Sequence, residues 1–173
     1  MEKITLKLAE FYSLDAELNG LFNQGTGEKL SSGLLQEKLP LVTKYWLTDL
    51  AKKVAAEKNA VEELKNDLIK KYGKEENGAI SIPMLIDEVD EEGNPVLDVN
   101  PDETTTSKRK FNPDFQKFQQ EFNELLQTEK EIEYKPIKLS ELEKVETTEN
   151  YVVFFKLVKI ENSDEKVVPM VPR

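Results

Sequence analysis

The residues best placed to do chemistry are acidic. Asp87, Glu88, Asp90, Glu91 and Glu92 crowd one short stretch, which Gly93, Asn94 and Pro95 close as a turn. Such a cluster can hold a hard cation through carboxylate oxygens, or it can meet a basic partner. Glu88, Asp90 and Glu92 alternate ahead of Gly93, loosely like the first half of a calcium loop. The bidentate Glu that closes such a loop would fall at Val99, which cannot coordinate. The stretch therefore reads as a solvated acidic turn, and its functional reading is a surface for a basic protein. Trp46, the only Trp, is the second candidate. Beside Tyr45 it could anchor a partner, although packing at a helix kink is the simpler account.

Other chemistries fail on composition. The chain has no His and no Cys. That removes the commonest general base, the imidazole and thiolate metal ligands, and disulfides. A serine triad has no base to use. Gly25-Thr26-Gly27-Glu28-Lys29 looks like a phosphate loop but lacks its glycine spacing. Asp and Glu abound, yet nothing marks a pair as buried or polarised. Glu57 is the one carboxylate set in an apolar helical stripe. It reads as a half-exposed edge residue that reaches water or a lysine on a facing element. The expectation is a protein without catalytic residues, cofactor or metal, and a carboxylate-based metal enzyme ranks last.

Charge and hydropathy narrow the class further. The 173 residues carry 34 acidic against 24 basic side chains, a formal net of −10. A nucleic-acid binder needs a basic face, so that class is set aside. No stretch approaches the roughly 20 apolar residues of a membrane span. The N-terminal Met-Glu-Lys-Ile-Thr-Leu-Lys-Leu alternates and lacks the unbroken apolar run of a signal peptide. The expected place is the cytoplasm.

The elements that must carry these residues are legible from spacing. Ile4, Leu6 and Leu8 alternate with polar residues, as in a half-buried strand. Phe11, Leu14, Leu18 and Leu21 predict a helix from about 9 to 22. The longest element is expected from Ser32 to Tyr72, with Leu47, Leu50, Val54, Val61, Leu64 and Leu68 as its stripe. Pro40 should kink it, because the stripe stays in phase across that residue. Lys70 and Lys71 suit its C-terminus, and Gly73 can end it in a left-handed conformation. Ala79–Ile86 and Val96–Val99 should pair as a hairpin around the acidic turn, followed by an exposed linker over about 100–110. Asn112, Pro113 and Asp114 spell a helix start. Phe115, Phe118, Phe122 and Leu125 then form a stripe expected to pack, as core, against the long helix. A strand over Glu131–Leu139 and a short helix from Ser140, with Glu143 as its capping partner, follow. Tyr151–Ile160, the most apolar run, should be a central strand. The tail at about 161–173 should be extended.

Several of these stretches together resemble a known group. They are Leu34-Leu35-Gln36-Glu37-Lys38-Leu39 before a long charged helix, the turn Asp90–Val96, the run Phe118–Leu126, and Ile132-Glu133-Tyr134 with Pro136–Leu139. The order resembles small uncharacterised proteins encoded by tailed bacteriophages, over about residues 30–145. The resemblance implies a phage origin and no catalytic residues.

The expected fold is α+β and a single domain over 1–173. In it a long helix packs antiparallel on a second helix, beside a small, mostly antiparallel sheet of the hairpin, Ile132–Leu139 and Tyr151–Ile160. The expected function is non-catalytic protein–protein binding in phage assembly or as an accessory factor. The partner would be a phage or host protein or a second copy, in the host cytoplasm. The alternatives are a virion component and an acidic inhibitor of a host defence protein working through Asp87–Glu92.

Overall fold

The computed structural model describes residues 1–23, 25–76, 78–99, 105–145 and 151–159. In chain order the elements begin with β1 (Glu2–Lys7), α1 (Leu8–Asn19), β2 (Gly20–Phe22), β3 (Lys29–Ser32), one 3-10 turn at Leu34–Gln36 and α2 (Leu41–Tyr72). The ribbons β4 (Lys74–Glu76), β5 (Ala79–Ser81), β6 (Leu85–Asp87), β7 (Leu97–Val99), β8 (Thr105–Ser107) and β9 (Arg109–Phe111) follow. Then come α3 (Pro113–Gln127), β10 (Glu129–Tyr134), β11 (Ile137–Lys138), 3-10 turns at Leu139–Leu142 and Phe154–Leu157, and β12 (Val158–Lys159). The class is α+β. Among the described residues no helix is long and apolar enough to cross a membrane.

The chain gathers into two compact units. The first holds 1–59 and 129–173, the second holds 60–128, and α2 contributes to both.

In the first unit, β1 and β10 pair antiparallel, with Ile4 opposite Ile132 and Glu2 opposite Tyr134. Leu6, Ile132 and Tyr134 are buried, while Thr5, Glu131 and Glu133 are exposed, as the alternation requires. The Lys7 amide donates to the Glu10 carboxylate at 2.8 Å and so starts α1. Leu8, Phe11, Leu14 and Leu18 of α1 are buried. Leu21, expected to extend that stripe, lies in β2 and is half exposed. The β2–β3 ribbon comes so close to the end of α1 that a Cβ on Gly33 would sit 2.2 Å from backbone atoms of Asn19 and Gly20. Only glycine fits there.

Pro40 does not kink the long helix. It precedes Leu41, and its carbonyl accepts the Lys44 amide at 2.9 Å, so α2 starts after it. A proline there removes no helical hydrogen bond. The 3-10 turn at Leu34–Gln36 is all that forms of the expected earlier turns, and Ser31 and Ser32 belong to β3. Gly73 ends α2 without a positive φ. Its amide donates to Ile69 at 2.7 Å, and a Cβ would meet the Ile69 carbonyl at 2.5 Å. Close approach, not left-handedness, is what glycine supplies here.

Among the described residues, the expected single sheet is replaced by six two-stranded ladders. β6 pairs with β9, β7 with β8, and β4 with β5, so Ala79–Ile86 and Val96–Val99 do not form one hairpin. Residues 105–110, expected in a linker, are exposed but lie in the paired stretch of β8 and β9; 100–104 lie outside the described residues. The expected helix at Ser140 is one 3-10 turn, and Glu141 rather than Glu143 accepts a capping amide, that of Lys138, at 3.1 Å.

The largest departure is Tyr151–Ile160. Among its described residues, 151–159, only Val158 and Lys159 form a strand, parallel to β11. Tyr151, Val153, Phe154 and Leu157 are buried while Val152 and Phe155 are exposed, which is the one-sided burial of a helical turn. The cause lies on α1. The Glu17 carboxylate accepts the amides of Val153 at 3.1 Å and Phe154 at 2.7 Å, which a strand would need for its ladder. Lys156 pairs with Glu10, and Lys159 with Glu2. Ile160 and the expected tail lie outside the described residues.

Two outcomes follow for the first unit. Glu17→Ala leaves two amides without their acceptor and should lower stability by about 2–3 kcal/mol in urea unfolding, with Glu17→Gln costing less because one oxygen remains. Glu10 is held below the usual carboxylate range, first by Lys156 and also by the Lys7 amide, against the opposing effect of burial. A carboxylate so depressed stabilises the fold above its ordinary pKa, and that contribution is lost as pH falls through the folded value. The melting-temperature gap between the wild type and Glu10→Gln should be full near about pH 6 and close toward about pH 3.

Candidate protein-binding surface

The acidic turn is largely committed within the second unit. Asp87 faces Arg109 across β6–β9, with 3.6 Å between carboxylate and guanidinium, and Glu88 pairs with Lys108 at 3.1 Å. Backbone bonds close a ring at that point. The Glu88 amide donates to Lys108, Lys108 to Val96, and Val96 to Glu88, each at 2.8 Å. Asp90 builds the tip, accepting the amides of Asn94 at 2.8 Å and Glu92 at 3.0 Å, while Gly93 turns the chain at φ +86°. Those amides, Asn94 foremost, hold the Asp90 carboxyl below its usual range. Glu91 and Glu92 are the exposed acids of the tip. Among the described residues no group of three acidic side chains is arranged to hold a metal ion.

Trp46 belongs to the first unit and the acidic turn to the second. It is half-buried and meets the Tyr45 ring edge-on, with centroids 5.1 Å apart. Tyr45, Leu41 and Val42 around it are exposed. Glu57, the carboxylate in the helical stripe, pairs with Lys130 of β10 at 3.2 Å. That partner on a facing element is the structural role expected of it.

The antiparallel α2–α3 pairing expected from the two stripes forms in the second unit, and what spacing did not show is how much of its apolar face stays uncovered. Asn112 organises its start. This buried residue accepts the Asp114 amide at 3.0 Å as N-cap, donates through Nδ2 to the Pro83 carbonyl at 2.8 Å, and donates through its own amide to Met84 at 3.0 Å. One side chain thus joins the base of the β6–β9 ribbon to the helix start. α3 then runs antiparallel to the last turns of α2. Leu64 and Leu125 line one groove, while Lys71, further along α2, reaches Glu121, earlier on α3.

The Phe stripe is not core. No residue of α3 is fully buried. Phe115, Phe118 and Phe122 are half-buried, and Phe111, just before the cap, is 62% exposed. Phe118 and Phe122 stack with centroids 5.9 Å apart and 9° between planes, and Lys65 lies over the Phe122 ring at 5.8 Å. Beside them Leu64, Leu68 and Leu125, with Asp67, Lys71 and Glu121, line a groove of about 310 Å³. Both Glu121 oxygens accept from Lys71 at 2.8 Å, and one accepts the Tyr72 hydroxyl at 2.5 Å. Lys71 first, then Tyr72, lowers the Glu121 carboxyl, and Glu121 raises Lys71. Chemically this surface offers apolar contact edged by paired charges and no reactive group.

No protein-family model matches the chain, and no curated protein or solved structure does so either.

Asn112→Ala should destabilise the protein by about 1–3 kcal/mol in urea unfolding, through loss of the cap and of the bond to Pro83. Asn112→Asp, which keeps the cap acceptor and loses only the Nδ2 donor, should cost less.

Proposed function

We propose that this is a non-catalytic, phage-encoded protein that acts in the host cell by binding another protein, as an assembly partner or accessory factor. The observation that carries this reading is α3. A helix with a regular apolar stripe normally buries that stripe, yet α3 buries no residue fully, and the exposed Phe111 and Leu64 lie beside it in the same unit. Exposed apolar surface of this kind marks interaction sites. The absence of His and Cys from the sequence fits a binding role better than acid–base or thiol chemistry. An inhibitor working through the acidic turn alone is less favoured, because Asp87 and Glu88 are paired with Arg109 of β9 and with Lys108 just before it.

The test is paired capture from a lysate of the infected host, with the wild type and the double variant Leu64→Glu, Leu125→Glu as bait. A protein retained at fixed stoichiometry by the wild type and lost by the folded variant supports binding through this face. If nothing is retained, and light scattering across a concentration series gives a monomer of 19.9 kDa throughout, the reading fails.

A further inference from the structure

We propose that the occupant of the α2–α3 groove is a basic amphipathic helix of a second protein. This rests on the binding reading above and adds the chemistry of the partner. The shape comes first. Leu64 and Leu68 sit one turn apart on α2, and Phe118, Phe122 and Leu125 follow on α3 at helical spacing. Two antiparallel helices with an apolar groove between them accept a third helix, whose own residues at i, i+3 or i+4, and i+7 fill it.

Charge selects the partner. Residues 60–128 carry 16 acidic and 8 basic side chains, whereas the first unit carries 18 and 16. Nearly all of the protein's net charge therefore belongs to the unit that bears the groove. The lysines of the last α2 turns are already paired, Lys65 with Glu62 at 3.2 Å, Lys70 with Asp67 at 3.1 Å and Lys71 with Glu121 at 2.8 Å. Glu63 and Glu124, one helical turn from the groove-lining Asp67 and Glu121, are exposed and have no lysine or arginine partner among the described residues. A basic helix meets these two carboxylates as its apolar face enters the groove, and the field of the whole unit speeds the encounter. A second copy of this chain would instead bring two acidic surfaces together, which is unfavourable at ordinary ionic strength.

The experiment uses the full-length protein and a fluorescently labelled leucine/lysine peptide designed as an amphipathic helix. Two controls share its length: a scrambled leucine/lysine peptide without a helical face, and an amphipathic leucine/glutamate peptide. Fluorescence anisotropy should show the first peptide binding at least about tenfold more tightly than either control. Its affinity should fall about tenfold in Leu64→Glu, Leu125→Glu and at least about threefold in Glu63→Gln, Glu124→Gln, and should weaken as salt is raised. Equal binding of the scrambled or the acidic peptide overturns the proposal. So does binding that neither variant changes, or a dimer in light scattering that the leucine variant disperses. Should the leucine variant unfold by circular dichroism, the Glu63→Gln, Glu124→Gln variant decides alone. Failure here while paired capture still succeeds leaves the binding reading standing and removes only the basic helix. Failure of both removes the binding reading as well.

Discussion

The pairing of β1 with β10 is the constraint on which the first unit depends. It joins Glu2–Lys7 to Glu129–Tyr134 across the whole of the second unit. A two-stranded ladder is marginal in water by itself, and one closed over so long a loop carries an entropic cost as well. What offsets both is burial. Leu6, Ile132 and Tyr134 belong to the same buried set as Phe11, Leu14 and Leu18 of α1 and Phe154 and Leu157. Three carboxylates near the N-terminus, Glu2, Glu10 and Glu17, then hold the segment 151–159. The N-terminal strand and helix thus act as the receiving surface for the last described part of the chain.

The second unit is built on the opposite principle. Its ribbons are exposed along most of their length, and α3 has no fully buried residue. Its ion pairs are largely solvent-facing, where each contributes little. Order there rests on backbone bonding, as in the ring of Glu88, Val96 and Lys108, and on Asn112, which ties a ribbon to a helix start. Few buried apolar contacts and many exposed backbone bonds are the physical marks of low local stability, and recognition surfaces are commonly drawn from such regions.

Much of this was legible where a residue's role is local. The alternation of Ile4 and Leu6, the spacing of Phe11, Leu14 and Leu18, and the Asn112-Pro113-Asp114 helix start each report an interaction made within a few residues. Roles set by a distant partner were not legible. β-forming composition at Tyr151–Ile160 predicts a strand, but Glu17 claims two of its amides, and nothing within the stretch announces that. Gly33 looks like any loop glycine until Asn19 and Gly20 are seen against it. The acidic turn was legible as a cluster, whereas its neutralisation by Lys108 and Arg109 depends on a strand register that sequence does not carry. The Phe stripe showed a face without showing what covers it. Periodicity reports that a helix has two sides, and only the fold says which side is met.

The split first unit also sets an order of events during synthesis. As the chain leaves the ribosome, β1 and α1 emerge well before the partners that complete their packing, β10 and 151–157. β1 has no mate until Glu129–Tyr134 has been made, and Glu17 has no amides to receive until Val153 and Phe154 follow. The whole of 60–128 emerges in that interval. The part of α1 that meets 151–157 must therefore wait, uncovered or shielded by a chaperone, while the acidic unit is completed. A nascent chain halted between α3 and β10 would carry a finished second unit on an unfinished first one.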